Sequence, residues 1–70
     1  MKLFIEDLKG YMDTFEDVRR VRIEKIDKKK VLRIIYWLST KEDEIIPLAE
    51  IRLAFMVDLK NMEEYFRYER

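Results

Sequence analysis

Ile5, Leu8, Met12 and Phe15 recur at steps of three and four residues, the spacing that gathers side chains on one face of an α-helix. A helix from about Lys2 turns Glu6, Lys9 and Asp13 to solvent. Gly10 interrupts it, because glycine inside a helix costs about 1 kcal/mol relative to alanine. From Val18 the spacing changes to alternation. Val21 and Ile23 fall on one face of a strand, with Arg20, Arg22 and Glu24 on the other. Asp27, Lys28, Lys29 and Lys30 read as a solvated hairpin turn of about four residues, without the Asn-Gly pair of the tightest turns. The run from Val31 to Ser39 places Leu32, Ile34, Tyr36 and Leu38 on one face and Val31, Arg33, Ile35 and Trp37 on the other. Two apolar faces mark a central strand, or one whose outer face meets a partner.

After a polar turn at Thr40 to Glu44, the segment from Ile45 to Val57 fits two periodicities. Ala49, Ile51, Leu53, Phe55 and Val57 alternate, whereas Leu48, Ile51, Phe55 and Leu59 fit a helix. The polar side chains favour the strand, because Glu50, Arg52 and Asp58 scatter around a helical wheel. Asp58 suits a helix N-cap, with Val57 packing on Met62, and Leu59, Met62 and Phe66 then form an amphipathic final helix. The expected plan is α+β in one domain spanning residues 1–70: helix, three-stranded antiparallel meander, helix, with both helices on one sheet face. No internal repeat or low-complexity tract is evident.

Composition narrows the chemistry. Seventy residues bury only roughly 60% of their unfolded surface, so stability is marginal without a supplement. The chain has no cysteine and no histidine, which excludes disulfides and the usual zinc sites. A chain 49% hydrophobic is not a disordered one, and its 43% of charged residues matches the trend in heat-adapted proteins. No apolar run is long enough to span a membrane, and Glu6 and Asp7 sit where a signal peptide is apolar, so a cytoplasmic protein without membrane contact is expected.

Catalysis is not expected, nor is a cofactor. Without histidine, Ser39, Thr14 and Thr40 lack the usual activating base. Glu42, Asp43 and Glu44 lack the alternating ligands and mid-loop glycine of a calcium loop, and Asp13, Glu16 and Asp17 flank a junction. One glycine cannot build a phosphate-cradling loop.

Interaction is the function class that remains. In the expected register the open sheet face presents Ile35, Trp37, Ala54 and Met56, ringed by Arg20, Arg22, Arg33, Glu50 and Arg52, and aromatic, methionine and arginine side chains are enriched at protein interfaces. The partner is a second copy of the chain, giving a homodimer with Trp37 at the contact, or another protein for which this one serves as a small adaptor or inhibitor. Small phage-encoded inhibitors have similar plans. The alternative is nucleic acid. Residues 18–33 hold Arg19, Arg20, Arg22, Lys25, Lys28, Lys29, Lys30 and Arg33 against Glu24 and Asp27, between acidic flanks, and Tyr36 and Trp37 lie near enough to stack on bases. The plan of helix, three strands and helix over the whole chain resembles the double-stranded RNA-binding domain. That family opens its second helix with lysines, where this chain has Asp58, Leu59, Lys60, Asn61, Met62, Glu63 and Glu64.

Overall fold

A computed structural model describes all 70 residues, and the chain is extended through most of them. It forms β1 (Lys2–Asp7), β2 (Met12–Phe15), β3 (Val18–Ile26), β4 (Lys29–Tyr36), β5 (Glu44–Pro47), a 3-10 turn at Leu48–Glu50, β6 (Ile51–Asp58) and β7 (Glu63–Glu69). All pairings are antiparallel. A first sheet has the order β2-β1-β6-β7 and a second the order β3-β4-β5. There is no α-helix, so the expected α+β plan, and with it the likeness to the double-stranded RNA-binding domain, is overturned.

Both expected helices are hairpins, and an aspartate turns each. The Asp7 carboxylate accepts the N–H groups of Lys9 at 2.8 Å and Tyr11 at 2.9 Å, and Gly10 supplies the left-handed residue at φ 92°. Gly10 therefore marks a turn and not a helix break. At the other end the Asp58 carboxylate accepts the Lys60 N–H at 3.0 Å and the Asn61 side-chain amide at 3.0 Å, with Met62 left-handed at φ 55°. An aspartate oxygen that satisfies the N–H two residues on serves a helix N-cap and an Asx turn equally well. Downstream residues decide between them, and Tyr65, Phe66 and Tyr68 favour a strand.

The two hairpins repeat one another. Phe4, Asp7, Leu8, Lys9 and Phe15 recur 51 positions later as Phe55, Asp58, Leu59, Lys60 and Phe66. Phe4 pairs with Phe55 at the centre of the β1–β6 ladder, flanked by Leu3 against Met56 and Ile5 against Ala54. The offset maps each flanking pair onto the other, which is an approximate twofold axis through the two phenylalanines. The repeat was present in the sequence and is the signal that a search for helical spacing passes over.

The core lies between the sheets. Leu3, Ile5, Ala54 and Met56 from the first sheet meet Val18, Leu32, Ile34 and Tyr36 from the second, with Leu48 and Ile51 closing one end. This is a small β-sandwich in which alternate residues of each strand face inward. The chain passes from the first sheet to the second at Glu16 and Asp17, with Asp17 left-handed at φ 57°. There Met1 and Val18 exchange two hydrogen bonds of 3.0 Å, stitching the sheets at one corner.

Candidate functional site

β4 is the central strand of the second sheet, and alternation sends Leu32, Ile34 and Tyr36 into the core while Arg33, Ile35 and Trp37 take the outer face. Trp37 continues the ladder past the end of β4, its N–H donating to the Asp17 carbonyl at 3.0 Å. The residue is 64% exposed, and the Arg19 guanidinium lies 5.5 Å from the ring centre. Arg19 reaches it because the β3–β4 register shifts between Val18 and Arg20, leaving Arg19 as an extra residue. The buried Tyr36 next to it donates its hydroxyl to Glu44 at 2.6 Å, and Lys41 covers its ring at 3.8 Å. Burial and then the Glu44 carboxylate push the Tyr36 hydroxyl well above the usual tyrosine range.

The middle of this face is electrically closed. Arg33 donates to Glu24 at 2.7 Å and to Asp43 at 3.2 Å, and Arg22 lies 3.3 Å from Glu24. The Arg33 hydrogen bond holds the Glu24 carboxyl below its ordinary range, and Arg33 is held above its own. Along the β3 margin, Arg19 and Arg20 form no ion pair.

Of the expected interface, Ile35 and Trp37 with Arg20, Arg22 and Arg33 share one face. Ala54 and Met56 do not belong to it. They lie in β6 of the other sheet, 0% and 4% exposed, and form part of the core. The correction follows from the missing helices: with nothing else to cover it, the inner side of β6 is buried by the second sheet itself. Arg52 sits on the outer side of the first sheet, paired with Glu6, whose carboxyl its hydrogen bonds hold below the ordinary range. Glu50 belongs to the 3-10 turn.

The basic residues separate along the β3–β4 ribbon. Arg19 and Arg20 lie at its start with Trp37, while Lys28, Lys29 and Lys30 lie about 25 Å away at its tip, at roughly 3.3 Å per residue. Ile26 pairs with Lys29, so the turn has two residues and not four. Asp27 and Lys28 fill it at φ 50° and 69°, as a type I′ turn requires. The acidic cluster 42–44 is likewise divided, with Asp43 on Arg33 and Glu44 on Tyr36.

An unanticipated feature occupies the outer side of the first sheet. Phe4 and Phe55 stack with centroids 4.9 Å apart, and Lys2 and Arg67 each approach a ring at 5.5 Å. Both cations are also ion-paired, Lys2 with Glu16 and Arg67 with Glu64 and Glu69. The chain matches no family model, no curated protein and no solved structure. No helix is long and apolar enough to cross a membrane.

Proposed function

We propose that the protein is a non-enzymatic interaction module that docks through the outer face of its second sheet, and that the occupant is a second copy of the chain. Trp37 carries the reading: it is exposed, fixed at a strand end beside Ile35, and approached by Arg19. Tryptophan and arginine are the side chains most enriched at the energetic centres of interfaces.

Charge favours self-pairing. The β3 margin bears Arg19 and Arg20, and the β5 side bears Glu42 and Asp43; of these four, only Asp43 has an ion-pair partner. Turning a second copy about a twofold axis parallel to the strands lays β3 of each copy over β5 of the other, arginine over acid, and brings the two Trp37 side chains together. A standard contact takes about 800 Å² from each partner. The outer side of the first sheet suits a partner less, because Lys2 and Arg67 already cover its aromatic pair.

Trp37 is the only tryptophan, so it reports on its own contact. Light scattering at high micromolar concentration is expected to give the dimer mass, and dilution to move the tryptophan emission to the red. Trp37→Glu is expected to be monomeric with an unchanged circular dichroism spectrum. A monomeric wild type overturns self-pairing, and a folded Trp37→Glu that stays dimeric places the interface elsewhere.

One observation favours a second reading, nucleic acid along the β3–β4 ribbon. Arg19, Arg20, Lys25, Lys28, Lys29 and Lys30 all lack an ion pair, so the acidic flanks do not neutralise them. Retardation of RNA or DNA that falls steeply with added salt supports this reading, and none at low salt removes it.

A further inference from the structure

At the end of the sandwich away from Trp37, the gap between the sheets opens into a cleft of about 640 Å³. Lys29 and Lys30 line it from the start of β4, Pro47 and Leu48 from the end of β5 and the turn after it, and Tyr68 and Arg70 from the end of β7 and just beyond it. Lys30 lies on the same side of β4 as the buried Leu32 and Ile34, one step past the last core layer, so it faces this gap. The Arg70 guanidinium is fixed at the rim by donating to the Ala49 carbonyl at 2.8 Å, and its backbone N–H donates to Arg52 at 2.9 Å. No carboxylate side chain lines the cleft, and none of the three cations forms an ion pair.

Lys30 sits directly across from Lys25, a like-charge pair that weakens a ladder, so the local sequence gives up stability to keep positive charge at this rim.

We infer that the cleft is a binding site for a nucleoside polyphosphate, with Lys30 and Arg70 on the phosphates and Tyr68 and Leu48 against the base. Its volume lies within the range of small-molecule sites, and its walls combine apolar surface with a few convergent cations. Cations with no carboxylate side chain among them suit a polyanion such as the phosphates of a nucleotide. The site is independent of the Trp37 face and stands whether or not the chain dimerises.

The experiment is calorimetric titration of the full chain with ATP in the absence of magnesium, with inorganic triphosphate, and with a single-stranded oligonucleotide, at low and moderate salt. Saturable ATP binding is expected, weakened roughly tenfold or more in Lys30→Ala and in Arg70→Ala, as loss of one charge-assisted contact implies. Lys60→Ala, at the opposite end, is the control and is expected to bind as the wild type does. Amide shift changes on ATP addition are expected to centre on Leu48, Ala49 and Tyr68, which keeps the test decisive if a variant fails to fold. No saturable binding of ATP at millimolar concentration overturns the inference. Triphosphate binding as tightly as ATP overturns the role given to Tyr68 and Leu48, and oligonucleotide binding without ATP binding overturns the small-molecule site in favour of nucleic acid.

Discussion

Asp27 and Lys28 turn the β3–β4 hairpin with both residues at positive φ, where L side chains crowd the backbone. Asparagine followed by glycine is the pair this geometry prefers. The double substitution Asp27→Asn, Lys28→Gly is expected to stabilise the protein by about 1 to 2 kcal/mol, read as a higher midpoint in chemical denaturation with an unchanged slope. A buried Met56 sets the opposite expectation. Met56→Ala is expected to cost about 2 to 5 kcal/mol, against half a kcal/mol or less for a residue on an open face. The difference between the expected and observed places of Met56 and Ala54 is instructive. Alternation separates Ala54 and Met56 from Leu53, Phe55 and Val57 and puts Ile35 and Trp37 outside, but it groups Ile51 with Leu53, whereas the bulge opposite Glu6 and Asp7 turns Ile51 into the core. It says only which residues share a side. Which side is buried depends on what the strand packs against, and that is the second sheet, whose Leu32 and Ile34 lie some twenty positions away in sequence.

Four of the seven strands show how a local pattern yields to its context. The segment Ile51–Asp58 is extended, as its polar residues indicate, but the 3-10 turn cuts it from β5, and it pairs with β1 and β7 and not with β4. Residues 2–15 satisfied a helical spacing, yet two members of that face, Leu8 and Met12, are 54% and 47% exposed. The spacing there was coincidental, and the alternation of Leu3 and Ile5 was the signal with consequences. For β7, Asp58 accepts the N–H two residues on in a turn between strands, and not at the N-cap of a helix. The lysine cleft was legible only as a basic tract, because Tyr68 and Arg70 come to it through the sheet order. At the centre of the first sheet, Phe4 and Phe55 should act together. A double-mutant cycle with alanine at both positions is expected to give a coupling energy of about 0.5 to 1.5 kcal/mol. Coupling near zero shows that the rings touch without mutual benefit.

Across the whole molecule, acid is the condition that undoes the most contacts together. Glu6 is hydrogen-bonded to Arg52 and Glu24 to Arg33, and both carboxyls titrate below their ordinary value of 4.5. A carboxyl depressed in the folded state contributes stability that is present above its unfolded value and is lost as pH falls through the folded one. Thermal midpoints are therefore expected to hold at neutral pH and to fall below about pH 4.5. The variant carrying Glu6→Gln and Glu24→Gln should show a smaller fall, and an equal fall excludes these two pairs as the cause. The order β2-β1-β6-β7 has a consequence for how the chain is made. A ribosome delivers β1 and β2 first and the whole second sheet next, while one edge of β1 waits for Ile51–Asp58 to emerge. Until then the nascent chain carries Leu3 and Ile5 in a two-stranded ribbon too small to be stable alone. Closing so long a loop is slow compared with forming a hairpin. β1 thus becomes native only when β6 has arrived, and the two halves of the Phe4–Phe55 repeat meet after the whole second sheet has been made.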